Sequence, residues 1–149
     1  MARFASGVTV ATAVDKEGNP HGMTASAVAA VSLEPPILLV CVDHAADFHA
    51  AVSAAPRFAL SILSHGQEDL SRRFAEERDD RFDGVAWKAG AGGLPLLDGA
   101  VAHLLCDQWG AHEAGDHTVF FGRLQDGAVF DRRPLIHFRG GYSTTTDQA

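Results

Sequence analysis

A chain of 149 residues with 12 Lys and Arg against 19 Asp and Glu carries a formal charge of −7, which argues against a general nucleic-acid binder, since such a protein needs a basic footprint. Hydrophobic residues at 46% and charged residues at 21% describe a chain that folds rather than one that stays disordered, and the length fits one domain over 1–149. Two cysteines are too few for a disulfide scaffold, although a single Cys41–Cys106 bond stays open.

No apolar run approaches the roughly 20 residues of a membrane span. The start MARFASGVTV has no apolar core followed by a cleavage site. The expectation is a cytoplasmic protein with no membrane partner.

GVTVATAVD (7–15) alternates Val8, Val10, Thr12 and Val14 with smaller residues and reads as a strand with one apolar face. KEGNPHG (16–22) carries turn chemistry, and a second strand is expected over about 23–32. Pro35 and Pro36 break it, because proline cannot donate to a ladder. ILLVCV (37–42) reads as a buried strand. Asp47 is expected to cap a short helix holding Phe48, Ala51 and Val52, which Pro56 ends. A strand over 57–64 follows. Over 65–78, Leu70 and Phe74 stand at helical spacing, with acids early and arginines late, the order a helix dipole favours. Residues 79–95 read as loop. AVAHLLCDQWGAHEA (100–114) and DHTVFFGRLQDG (116–127) read as two long strands joined near Gly115, and PLIHFRGGY (134–142) as a short strand ending in a glycine break. Without regular βαβ alternation a doubly wound parallel sheet is not expected. A mostly antiparallel barrel of about 6–7 strands with two inserted helices fits.

The usual chemical signatures are absent. There is no GxxxxGK[ST], GxGxxG or GxSxG, and GAGG (90–93) leads into Leu-Pro rather than a helix. HEAGDH (112–117) offers His112, Asp116 and His117, but strand alternation is expected to put Asp116 and His117 on opposite faces, so no metal site is expected. Arg72 and Arg73 read first as a solvated helix face, Trp87 and Trp109 as core or interface anchors. The small residues of HGMTASAVAAVSLEPP (21–36) let a backbone come close to something: another strand, or a flat ligand.

Six blocks in order, RFASGVTVATA (3–13), HGMTASAVAAVSLEPPILLVCV (21–42), FALSILSHGQEDLSRRFA (58–75), RFDGVAW (81–87), GDHTVFFGRL (115–124) and PLIHFRGGY (134–142), together resemble the flavin reductase-like domain family. These are the small reductase components of two-component flavin monooxygenases. The resemblance implies an FMN-binding split barrel of Greek-key type, with Met23, Thr24, Ala25, Ser26, Ser32 and Pro35 along the ring and ribityl chain. The strand ending near Cys41, and the segment Asp43 to Phe48, would then approach the ribityl phosphate. In this chain that segment is DHAADFH, poor in the hydroxyls such proteins carry, which leaves His44, His49 and Arg81 as phosphate candidates. The resemblance also implies His117 near flavin and nicotinamide as the catalytic residue, and Tyr142 as an aromatic beside the pocket. It implies FMN or FAD as cofactor, NADH or NADPH as hydride donor, a homodimer, and a separate monooxygenase that receives reduced flavin. Two other readings remain open at this point: a flavin-binding electron carrier, and a ligand-binding barrel without reductase activity.

Overall fold

The computed structural model describes residues 1–146. Twelve strands and two helices follow one another as β1 Ser6–Gly7, β2 Thr9–Val14, β3 Pro20–Ala25, β4 Val28–Leu33, β5 Pro36–Asp43, α1 Asp47–Ala54, β6 Arg57–Ile62, α2 Glu68–Ala75, β7 Trp87–Ala89, β8 Pro95–Leu97, β9 Ala102–Ala114, β10 His117–Val129, β11 Ile136–Phe138 and β12 Gly141–Ser143. Seven of them form one sheet in the order β3-β2-β6-β9-β10-β5-β4, and all its pairings are antiparallel.

The order explains the shape. The edge strands β3 and β4 are consecutive in the chain and joined by Ser26 and Ala27 alone. Two residues cannot span a flat seven-stranded sheet, whose strands stand roughly 4.8 Å apart. The sheet therefore curls until its edges meet. Its concave face carries Ala11, Ala13, Val40, Val42, Phe58, Leu60 and Phe120, plugged by Phe48 and Val52 of α1. Phe48, Ala51 and Val52 are buried at i, i+3 and i+4, the stripe a surface helix needs. A second cluster packs Val8, Val10, Leu63, Phe74, Leu97 and Leu135 outside the curl under α2.

Two glycines record how tight this packing is. A Cβ on Gly122 of β10 would stand 2.5 Å from Phe58 Cζ and 2.7 Å from Cys106 Cβ. One on Gly22 of β3 would stand 2.8 Å from Phe74 Cε1.

Several boundaries differ from the sequence reading, each for a local reason. The strand expected over 23–32 is two strands, because the chain crosses from one sheet edge to the other at Ser26–Ala27. β5 is half-buried rather than fully buried: Leu38, Val40 and Val42 face the core while Ile37, Leu39 and Cys41 alternate outward. Asp47 is the first residue of α1 and Ala46 stands at its cap without a side-chain bond; the Asp43 carboxylate instead accepts from the Ala45 amide at 2.8 Å. The loop 79–95 holds β7 and the start of β8. PLIHFRGGY is a hairpin, β11 and β12, which forms a small sheet with β1. Cys41 and Cys106 are both free thiols. No helix among the described residues is long and apolar enough to cross a membrane.

Candidate functional site

Where the β3–β4 corner meets β5, a groove of about 500 Å³ opens on the outer face of the sheet. Ser26, Ala27, Val28 and Ala29 form one side, Leu39 and Cys41 the floor. The segment Met1–Phe4, Ser6 of β1 and His137 of β11 close the other side. Ser26 and Ala27 belong to neither ladder, and the Ala27 carbonyl is pinned by the Cys41 amide at 3.0 Å. The volume is that of a ligand pocket, and the lining holds no Lys, Arg, Asp or Glu. A second cleft of about 500 Å³ runs along α2, but Asp69, Arg72, Arg73, Glu76, Arg78 and Asp83 wall it, which suits water better than a flat apolar ring.

His137 lies opposite Tyr142 in the β11–β12 ladder, and their rings meet edge to face at 5.5 Å. The Tyr142 ring also carries the Arg72 guanidinium, 5.1 Å from its centroid. Its hydroxyl is 2.8 Å from Ser71 Oγ, and the Ser71 carbonyl accepts from Thr24 at 2.6 Å. Thr24, Ser71, Tyr142 and His137 thus form one connected wall leading to the groove, and α2 holds it in place. Met23 packs against the inner core and Ala25 is buried, its carbonyl accepting from Thr9 at 2.7 Å. Of the small residues, Gly22 and Ala25 serve packing; Ser26 to Ala29 border the groove.

His117 opens β10. The β9–β10 hairpin turns on Gly115 and Asp116, with Gly115 at φ +67°, the left-handed start a two-residue loop requires. His117 pairs with Asp43 two rungs from the Cys41–Val119 pair, so period-2 alternation puts His117, Asp43 and Cys41 on one face. The expected opposition of Asp116 and His117 does not occur, because Asp116 sits in the turn: its carboxylate lies 2.7 Å from His117 Nδ1. That bond holds the Asp116 carboxyl below the ordinary carboxylate range.

Just inside the hairpin lies a polar cluster. Buried Thr118 donates to Glu113 at 2.9 Å and lies 2.8 Å from His49 Nε2. His44 Nε2 lies 2.7 Å from Glu113 Oε2. The Thr118 hydroxyl, then His44, hold the Glu113 carboxyl below its usual range. Arg81 donates to the Glu77 carboxylate at 2.9 Å and the Glu76 carbonyl at 2.7 Å. Each of the three phosphate candidates therefore already has an internal partner. Ser32 and Pro35 lie at the opposite end of β5 from Asp43, about seven residue steps or 23 Å away. The groove brings together Ser26 and Cys41, with Thr24 and Tyr142 behind its wall and His117 on the same face as Cys41 but outside the lining. Ser32, Pro35, Phe48, His49 and Arg81 are not gathered there. No group of three His, Cys, Asp or Glu fit to hold a metal occurs among the described residues.

Sequence reasoning missed Phe4, Ser6, Ala27 and His137 as lining residues and Ser71 as the link.

A flat ring fits this lining. Leu39, Ala27 and Ala29 offer apolar contact, and the Ser26 hydroxyl, exposed at the corner, offers one donor and acceptor.

Residues 1–146 match the family described as flavin reductase like domain. A probable flavin reductase of Rhizobium meliloti (strain 1021) is 40% identical over 141 residues, which are 95% of this chain and 45% of that protein, so the chain spans less than half that relative's length. The reductase subunit HsaB of a flavin-dependent monooxygenase from Rhodococcus jostii (strain RHA1) is 35% identical over 144 residues, 96% of this chain and 73% of that protein. Among solved structures, the Streptomyces globisporus C-1027 NADH:FAD oxidoreductase SgcE6, in complex with NAD and FAD fragments, superposes with a TM-score of 0.93 at 39% identity, covering 99% of this chain and 90% of that one. On this match of sequence and fold, the chain belongs to the flavin reductase-like domain family.

Proposed function

We propose that this chain, acting as one domain, reduces FMN or FAD with NADH or NADPH and releases the reduced flavin to a separate monooxygenase. The observation that carries the reading is the groove at the Ser26–Ala27 corner: mostly apolar, with small side chains along the corner and no Lys, Arg, Asp or Glu in its walls. Leu39, Ala27 and Ala29 would hold the ring face, and Ser26 and the backbone of the corner its polar edge. A bound flavin supplies the electron-accepting ring, which takes a hydride directly from the reduced nicotinamide. The protein's own share is positioning and exclusion of water. His117, tied to Asp116 and two rungs from Cys41, borders the place where the nicotinamide would arrive. Tyr142 and His137 stiffen the wall.

Family membership and the likeness to an NADH:FAD oxidoreductase support this activity. The monooxygenase partner follows from the relative that is a reductase subunit. Val31 (49%) and Leu33 (92%), exposed on the edge strand β4, support a homodimer, since a bare apolar edge is a ready surface for a second copy.

The test is anaerobic: protein, FMN and NADH are mixed and the oxidised flavin absorbance followed against a protein-free control. Rapid bleaching is expected. No bleaching with FMN or FAD, and with NADH or NADPH, removes the reductase reading and leaves a carrier.

A further inference from the structure

The groove has two ends of opposite electrostatic character, although the protein as a whole carries −7. Toward the hairpin stand Asp43, Glu113 and Asp116, and the His44 ring there already lies 2.7 Å from Glu113 Oε2. At the other mouth, residues 1–14 and 132–146 contain no Asp or Glu at all. Two arginines leave the backbone there. The Arg139 amide donates to the Ala2 carbonyl at 2.8 Å, so Arg139 and Arg3 flank one contact, and Ala2 and His137 beside them line the groove. Neither guanidinium has a carboxylate partner among the described residues.

The backbone at Arg139 is unusual. Arg139 has φ +54° and Gly140 φ +79°, and together they are the two-residue loop between β11 and β12. Two left-handed residues in a two-residue hairpin loop are the setting in which Asn-Gly is favoured. Arginine there works against its own conformational preference, and it is the single non-glycine residue with positive φ among the described residues. A strained residue at the mouth of a ligand groove points to function rather than to the turn itself.

We propose that Arg139, with Arg3, recognises the phosphate of the nucleotide whose ring occupies the groove. The inference rests on the flavin reductase reading. The shared chemistry is a phosphate ester or pyrophosphate, and it has two sources: the phosphate of the flavin nucleotide, or that of the nicotinamide dinucleotide. An arginine fork makes paired charge-assisted hydrogen bonds to such a group, and two flanking segments without a carboxylate leave room for a locally positive site in an acidic protein.

The experiment compares the wild type with Arg139→Asn and Arg3→Gln. Dissociation constants for FMN and for riboflavin, which has no phosphate, are taken from flavin fluorescence, and KM for NADH with riboflavin as acceptor. Arg139→Asn places the favoured residue in the turn, so its melting temperature is expected to hold or rise. If the flavin phosphate is the ligand, FMN affinity falls about tenfold while riboflavin affinity changes less than about twofold. If the dinucleotide phosphate is the ligand, KM for NADH rises by about the same factor and both flavins bind as before. Arg139→Lys restores part of either loss. The proposal is overturned if both variants keep the wild-type FMN-to-riboflavin ratio and the wild-type NADH KM. It is also overturned if Arg139→Asn weakens riboflavin and FMN alike. A wild type that binds neither flavin removes the flavin reading itself, and this inference with it, a result visible before any variant is made.

Discussion

The Ser71 and Tyr142 side-chain oxygens lie 2.8 Å apart, and this contact joins α2 to the β11–β12 hairpin behind the groove. Ser71 is fully buried, so the bond has little competition from water. Tyr142→Phe keeps the ring against Arg72 and His137 but leaves the Ser71 hydroxyl one partner short. The expected loss is about 1 kcal/mol of stability, read by urea unfolding. An unchanged midpoint would show that the bond is not formed in solution.

Gly122→Ala tests the tightness of the core. Its new Cβ meets Phe58 and Cys106, both buried. Overpacking of this kind costs about 1–3 kcal/mol, so the urea midpoint should fall while the slope stays constant. Full stability in the variant would mean that Phe58 has room to move.

The Asp15 carboxylate organises the β2–β3 turn: it accepts from the Glu17 and Asn19 amides at 3.0 and 2.8 Å and lies 2.9 Å from His21 Nε2. The contact with His21, then that with the Asn19 amide, pushes its pKa well below the ordinary carboxylate range. A depressed carboxyl contributes stability that is present above its unfolded pKa and lost as pH falls through the folded value. Thermal melts from neutral pH downward should show an acid-side loss that Asp15→Asn makes shallower. Parallel curves for the two proteins would contradict the assignment.

The two thiols should separate under alkylation. Cys106 is buried among Phe58 and Phe120, and burial pushes its pKa up to about 12, so it stays a thiol and stays covered. Cys41 is half-exposed on the groove floor. Iodoacetamide in mild alkali should label Cys41 alone, as peptide mass mapping would show, and FMN should slow the labelling. Labelling unaffected by flavin would put the ligand elsewhere.

His117→Ala should slow NADH-driven reduction more than it weakens flavin binding, because His117 shares the sheet face of Cys41 but stands outside the groove lining. Stopped-flow reduction and flavin titration read the two effects separately. Equal losses, or none in either, would remove His117 from the reaction.

The overall class was legible because its signals are local. Val8 to Val14 alternate with period two, Phe48, Ala51 and Val52 repeat with helical spacing, and Gly115 marks the hairpin loop. The edge-to-edge crossing at Ser26–Ala27 was not legible, because the small residues around it read equally well as one strand. Breaking there depends on partners far along the chain, β10 for β5 and β6 for β2. The wall of Thr24, Ser71, Tyr142 and His137 was hidden for the same reason: its members come from three separated segments. The phosphate candidates His44, His49 and Arg81 rest on residue type, and type says nothing of an internal partner such as Glu113, Thr118 or Glu77.

The join at Ser26–Ala27 also orders events in time. β4 and β5 pair locally, but β5 meets the rest of the sheet through β10, about half the chain away. Loop closure over that distance is slow, and pairing of this kind delays folding. The groove exists only after β10 has zipped onto β5 and the curl has shut. A nascent or partly unfolded chain therefore has no place for the ring, and binding competence should arrive in the last kinetic phase of refolding, together with native burial of Phe120.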